Sequence, residues 1–415
     1  MKILAMAVGL AALPFASASG YLFALALGSR RPASVATPAG ELPRFDIFVP
    51  AHDEEVGIAS TVTSLLELDY PRDHFRVVVI ADNCTDQTAA RAEAAGATVL
   101  TRNDTQLRGK GYALAHAFAW GKQEGFASAA VVVDADTLVS PNLLTAYAVR
   151  LQSGADAMQA DYAVRNPEAS WRTQLMAIAL STFHEVRSVA RERWGLSCGL
   201  RGNGMCFTYA ILDRVPYSAF SIVEDVEYGL ALGEAKCAVR YIGEARVYGE
   251  MVSTEKAARS QRRRWEEGRK ALVRSKGWPM LLRAAKDFDL VLFDLAVDLV
   301  IPPLASLAVG VSLGLVASAA VLVLTGGGTF AVGIWSASAA GLVYYVFRGW
   351  RLSGTGMRGL LALGRAPAYV LWKLSLKFQR PDKASRGPST DPTAAEGEWV
   401  RTAREGANTT HSDGS

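Results

Sequence analysis

The sequence predicts an α/β fold, a mostly parallel sheet in one cytosolic domain flanked by transmembrane helices. Three observations predict it. Short Val/Ile-rich runs alternate with Ala-rich helical stretches, each run ends in polar or turn residues, and long apolar stretches lie on both sides. Continuous apolar strands alternating with helices mean a parallel sheet covered on both faces. Hydrophobic residues make up 50% of the 415, a high share for a purely soluble chain, and membrane segments account for it.

In chain order, residues 3–28, ILAMAVGLAALPFASASGYLFALALG, carry no charge and are long enough to cross a bilayer. A cleavable leader is the rival, since 14-PFASASG-20 offers small residues. The apolar run continues to Leu27, so residues 1–28 are read as a retained anchor. A domain over residues 40–285 follows. Its strands are expected at 44–50, 75–82, 97–100 and 129–136, its helices at 56–68, 86–96 and 110–125. The helix-like run 170–194 mixes apolar and charged residues, and either lies at the membrane interface or packs inside the domain.

A C-terminal membrane region covers 286–379, with spans at about 298–324 and 330–347 and an interfacial helix at about 366–378. Residues 380–415, rich in Pro, Ser, Thr, Gly and charge, read as a disordered cytosolic tail. Arg30 and Arg31 follow the first span, and Arg348, Arg351 and Arg358 follow the third. The positive-inside rule therefore places domain and C-terminus in the cytoplasm of a multi-pass inner-membrane protein.

Charge excludes one function class. The 44 basic residues against 40 acidic leave a net charge of +4, too balanced for a nucleic-acid binder despite the run 259-RSQRRRWEEGRK-270. The four cysteines form no CxxC pair and read as reduced thiols. His52, His74, His116 and His184 show no ligand spacing.

In an open parallel sheet the ligand sits beyond the carboxyl ends of the strands. The clusters 51-AHDEE-55, 82-DNCTD-86 and 134-DAD-136 fall there, which indicates a nucleotide-type site. No GxGxxG or Walker pattern is present. Asp134 and Asp136, at i and i+2 of an extended chain, point the same way. Two like charges so placed need a cation, and hard oxygen ligands suit Mg²⁺ or Mn²⁺ held jointly with substrate phosphates.

Asp82, Asp134-Ala-Asp136, Asp225 within 223-VEDVE-227 and 261-QRRRW-265 together resemble the "D, DxD, D, QxxRW" signature of membrane-bound inverting glycosyltransferases of family 2. That group includes cellulose, hyaluronan and poly-N-acetylglucosamine synthases and ceramide glucosyltransferases. The resemblance covers roughly residues 40–275 plus the flanking spans, and implies a GT-A fold with a nucleotide-sugar donor, most often a UDP-sugar. It implies that Pro50, Ala51 and Glu54 open the nucleotide loop and that Asp82 contacts the uracil. Asp134 would contact ribose or metal, and Asp136 the metal. Lys110 matches a family lysine near the nucleotide, with a solvated helix start as the alternative. Asp225 is the implied general base, and Glu224 beside it either serves the acceptor side or caps a helix.

Gly204, in 199-GLRGNGMCFTYAIL-212, matches an acceptor-side loop or a plain turn. On a helix Gln261, Arg264 and Trp265 share one face, and the resemblance gives that face diphosphate and acceptor contacts. Two departures stand out: Val223 replaces a common Thr or Ser, and the first loop reads Ala-His-Asp-Glu. The stretch 251-MVSTEKAAR-259 also lacks the Phe of the gating loop in processive relatives.

The leading expectation is a synthase extending a cell-surface polysaccharide at the inner membrane face. The alternatives are single transfer to a lipid acceptor, such as a polyprenyl phosphate or sphingolipid, and a catalytically silent membrane subunit. Expected partners are a nucleotide-sugar, a glycan or lipid-linked acceptor and membrane lipids, but no nucleic acid. Three spans are few for a channel, which leaves room for a homo-oligomer or an export partner.

Overall fold

The computed structural model describes residues 2–30, 37–249 and 266–367. Eight strands form one sheet in the order β3-β2-β1-β4-β7-β6-β8-β5. They are β1 (Phe45–Ala51), β2 (Phe75–Asp82), β3 (Thr98–Arg102), β4 (Ala129–Val132), β5 (Thr137–Val139), β6 (Ala157–Val164), β7 (Met205–Thr208) and β8 (Arg240–Gly249). The run β3-β2-β1-β4 is parallel, and every residue of the central β1 is buried, as expected for a strand covered on both faces. The helices Ile58–Leu66, Thr88–Ala94 and Lys110–Glu124 connect these strands.

Beyond β4 the sheet is mixed. β7 runs antiparallel to β4 and to β6, β8 runs parallel to β6, and the short β5 closes the edge antiparallel to β8. In this half β5 and β7 span only three and four residues, while the ten-residue β8 is only partly buried and pairs with β6 across a bulge at Ala160/Asp161. One apolar core lies on each face: one around Ile47, Val79 and Tyr147, the other around Phe48, Leu114 and Phe207. The buried Asp46 is held by Arg76 (2.5 Å) and the Tyr209 hydroxyl (2.5 Å), so it adds a satisfied charge beneath the sheet.

Three helices are long and apolar enough to cross a membrane: Ile3–Gly28, Leu304–Thr325 and Thr329–Ser353. The second starts at Leu304 rather than Asp298 because Pro302 and Pro303 interrupt the chain after the separate helix Leu290–Val300. Close approach is made at glycines: Gly310 meets Phe15, Gly314 meets Trp335, and Gly349 meets Thr182. Arg348, near the end of the third helix, donates to the Ser29 carbonyl at the end of the first, so those two ends share one side.

The stretch 170–194 resolves as helix Trp171–Leu180, a π-helical turn Ser181–Val186 and helix Arg187–Arg193. Ser170 and Thr173 start it with a reciprocal capping box. It lies between the domain and the apolar helices, and its charges explain its mixed composition. Arg187 reaches the Tyr345 hydroxyl (2.6 Å) and Asp298 (2.6 Å). Arg191, fully buried, reaches Asp294 (2.7 Å), Asp298 (2.9 Å) and the Tyr21 hydroxyl. Tyr21 and Tyr345 belong to the first and third apolar helices, so one ionic cluster fastens both to the domain.

Candidate active site

The carboxyl ends of β1, β2 and β4 define the site. Asp134 and Asp136 follow β4, both half-buried. Lys110 opens the helix Lys110–Glu124, and its ammonium reaches Asp134 Oδ1 (2.5 Å), the Gly202 carbonyl (2.6 Å) and Glu224 Oε1 (3.7 Å). Burial works against the Lys110 charge, but Asp134, Glu224 and Asp225 outweigh it and hold its pKa above the ordinary lysine value. Lys110 is therefore no solvated helix start. It ties β4 to the acidic pair.

Glu224 and Asp225 begin the helix Glu224–Glu234. The N-cap position is Val223, which has no polar side chain, and the Glu224 carboxylate both faces Lys110 (3.7 Å) and accepts a backbone N–H of the first turn. Burial pushes Glu224 up to about 8, against the pull of Lys110 and with the Asp225 charge adding to it. Asp225 is raised too, by burial, and its rise is restrained by the Val226 N–H, Lys110 and Arg201. Two adjacent raised carboxyls titrate as a unit.

The loop 199–204 supplies the remaining wall. Gly202 has φ +81°, and a Cβ there would stand 3.3 Å from Asp225 Oδ2. Gly202 is thus the glycine that lies against the acidic pair. Gly204 is occupied otherwise: its N–H donates to the Val132 carbonyl (2.9 Å), its carbonyl accepts from the Tyr147 hydroxyl (2.8 Å), and a Cβ would strike Val247. Gly204 thus packs in the seam between β4 and β6, next but one to the Gly202 that meets Asp225.

Sequence reasoning missed Asn203 and Gln159. The Asn203 amide oxygen accepts from the Asp134 N–H (3.1 Å) and its nitrogen donates to the Thr137 hydroxyl (2.7 Å), bracketing the DxD turn. Gln159 donates to the Asn203 carbonyl (2.7 Å) and accepts from the Arg201 N–H (2.8 Å). Only the Gly-Asn-Gly spacing hinted at this loop.

Asp82 is buried at the end of β2 and paired with Arg102 (2.6 Å). Burial raises its pKa and Arg102 opposes the rise. Its carbonyl lies 2.8 Å from His52 Nδ1, which links the β1 and β2 loops. Pro50 and Ala51 end β1, and the Glu54 N–H donates to Thr88 (2.8 Å), fixing the loop over the sheet edge. Asp53, Cys84 and Asp86 come within metal-binding reach of one another, but Asp53 accepts from the Thr85 N–H (2.7 Å) and Asp86 from the Thr88 N–H (2.9 Å). Gln261, Arg264, Trp265 and the stretch 251–259 lie outside the described residues. Just downstream, Arg269 donates to the Asp298 (2.9 Å) and Ile301 (2.7 Å) carbonyls, closing the C-terminus of helix Leu290–Val300.

With this geometry in place, the sequence match is decisive. The family described as "Glycosyltransferase like family 2" matches residues 43–268, more than half of the chain. The chain belongs to glycosyltransferase family 2. Its curated relatives include a probable glycosyltransferase, YdaM, of Bacillus subtilis, 25% identical over 244 residues, covering 56% of this chain and 57% of the relative. Another is the beta-monoglucosyldiacylglycerol synthase of Nostoc sp., 30% identical over 238 residues, covering 55% of this chain and 49% of the relative. The match thus spans about half the length of these relatives. Among solved structures, a mannosyltransferase from Pyrobaculum calidifontis in complex with GDP-Man and Mn²⁺ aligns with TM-score 0.52 at 19% identity. The alignment covers 84% of this chain and 98% of that one, and shows that the family 2 domain has the GT-A fold.

Proposed function

We propose that this family 2 enzyme is an inverting, metal-dependent transferase that moves a sugar from a UDP-sugar to a lipid acceptor at the cytoplasmic face of the inner membrane. One observation carries the choice of acceptor. The wall beside Asp225 is continuous with the 171–193 strut, which is ion-paired and packed onto the first and third apolar helices. A lipid headgroup then approaches the acidic pair without leaving the bilayer. The relative named for a glucosyldiacylglycerol product supports the same reading.

The residues sort into two sides. Asp136 and Asp134, hard oxygen donors on one strand tip, would hold Mg²⁺ or Mn²⁺, which neutralises charge on the leaving diphosphate. Two carboxylates leave most of a coordination shell to the diphosphate, which suits these ions. Pro50, Ala51 and Glu54 border the nucleotide, and Asp82, ordered by Arg102, meets the base. Lys110 keeps Asp134 aimed at the phosphates. On the acceptor side Asp225 takes the proton of the attacking hydroxyl while its oxygen bonds to the anomeric carbon. The bond from that carbon to the diphosphate oxygen breaks opposite, and its electron pair leaves with UDP. The raised value of Asp225 suits a base working near neutral pH. Gln261, Arg264 and Trp265 would complete the diphosphate and acceptor contacts.

A second reading, extension of a cell-surface polysaccharide, is favoured by the DxD and QxxRW pattern shared with polymer synthases, and would call for an oligomer or an export partner. UDP release by the purified full chain, tested over a panel of UDP-sugars with Mn²⁺ and native lipid extract, separates these readings once product size is measured. A chloroform-soluble product of one added sugar is expected. A long water-soluble chain would overturn the lipid reading, and no release beyond that of Asp225→Asn would overturn the enzyme reading.

A further inference from the structure

Among the described residues, Arg201 carries a guanidinium with no carboxylate at ion-pair distance. Its Nη2 donates to the Cys198 carbonyl (3.0 Å), its plane covers the Phe183 ring (4.7 Å), and its Nε is buried without an acceptor. The neighbouring cations are all spent: Lys110 on Asp134, Arg187 on Asp298, Arg191 on Asp294 and Asp298. An arginine keeps its charge even when burial lowers its pKa, as burial does here. A cation held this way is costly unless an anion meets it.

Beyond ion-pair distance the surroundings mix signs: Asp298 favours the Arg201 charge, and Arg191 and Arg187 oppose it. His184, on the π-helical turn, is buried with Nδ1 unpartnered, and burial, then Arg201 and Arg187, keep it neutral. Position decides which anion arrives. The donor diphosphate belongs with Asp134, Asp136 and Lys110. Arg201 lies beyond them: Gly202 beside it abuts Asp225, whereas Phe183 beneath it lies on the strut that packs on Tyr345 and Gly349. An anion at Arg201 therefore sits between the catalytic carboxylate and the membrane.

We propose that Arg201 binds the phosphate of an anionic phospholipid acceptor, presenting a free hydroxyl of the same headgroup to Asp225. This deepens the lipid-acceptor reading and rests on it. Arg201 is a specificity residue, since the phosphate is a fixed handle while the hydroxyl reacts.

The test uses the full chain in detergent micelles with Mn²⁺ and the UDP-sugar it turns over, offering phosphatidylglycerol or diacylglycerol as acceptor. The readout is the ratio of kcat/KM for the two lipids, with UDP affinity measured in the same preparation. Phosphatidylglycerol should be preferred by the wild type. Arg201→Gln should lower that ratio by roughly thirty- to hundredfold, the size of a lost charge-assisted contact, and Arg201→Lys should restore part of it. An unchanged ratio in both variants, or a wild type preferring diacylglycerol, overturns the assignment. So does a fall in UDP affinity at constant ratio, which would place Arg201 on the donor diphosphate. Failure of the underlying reading looks different: the wild type then releases UDP with a glycan but transfers to neither lipid.

Discussion

Replacing Arg191 by Met should destabilise the chain by about 3–4 kcal/mol at pH 7 and by much less at pH 5. Arg191 is fully buried and holds Asp294 and Asp298. Methionine keeps the volume, so the loss is electrostatic. Asp298 retains Arg187 at 2.6 Å, whereas Asp294 retains only the Tyr21 hydroxyl at 2.7 Å. The bare Asp294 carboxylate escapes its penalty by binding a proton. From an ordinary value near 3.9 this costs about 1.4 kcal/mol per pH unit, hence about 4 kcal/mol at pH 7 and about 1.5 at pH 5.

The sign agrees with the wild type. Burial already raises Asp294, so its contribution is largest at low pH and is lost as pH rises. Asp298 is penalised by burial but pulled well below the usual range by Arg191 and Arg187, so its contribution is lost only below about pH 4. Between pH 5 and 7 Asp294 alone therefore changes the difference. Unfolding by denaturant in detergent, at both pH values, measures it. A penalty below about 1 kcal/mol at pH 7, or one that grows on acidification, would refute the reasoning.

Asp225→Asn should lower kcat by about 10²–10⁴ while UDP binding persists, as judged by single-turnover and equilibrium titration. Glu224, pushed up to about 8, is protonated at pH 7, so Glu224→Gln should retain most activity there. Its raised value means stability present below about pH 4.5 and lost as pH climbs through 8. The Gln variant should accordingly melt above the wild type at pH 9 and beside it at pH 6. Asn203→Ala strips the Asp134 N–H and the Thr137 hydroxyl of their partner, and should cost about 1–3 kcal/mol and raise the Mn²⁺ concentration needed for half-maximal rate. Chelation with EDTA should abolish transfer, and Mn²⁺ or Mg²⁺ should restore it.

What was legible follows from locality. β1, β2 and β4 are runs of apolar residues buried on both faces, and the helices between them have ordinary length, so periodicity places them within a few residues. Asp82, Asp134 and Asp136 are visible because a strand tip puts polar residues beyond the sheet edge. β5 and β7 are only three and four residues long, and β6 and β8 carry polar residues such as Gln159 and Arg246, which obscures the run pattern. Asn203 acts on Asp134 across 69 positions of sequence, and Arg187 meets Asp298 across 111. No local period encodes such pairs.

The reversal between β4 and β7 explains how one sheet edge gathers side chains from both halves of the sheet. Because β7 runs antiparallel to β4, the loop that enters it, 199–204, arrives at the edge where β1, β2 and β4 end. β6 is antiparallel to β7 and so leaves at that same edge, and its exit leads into the strut that carries Phe183, Arg187 and Arg191. Asp82, Asp134 and Asp136 from the parallel half, the loop 199–204, and the strut packed on the apolar helices therefore converge on one rim. A fully parallel sheet would have sent loop 199–204 to the opposite edge, away from Asp134. In the observed order, the strut that fixes the domain to its apolar helices also supports loop 199–204 through Phe183 under Arg201, and Gly202 of that loop lies against Asp225, so loss of the Arg191 ion cluster should impair transfer as well as stability.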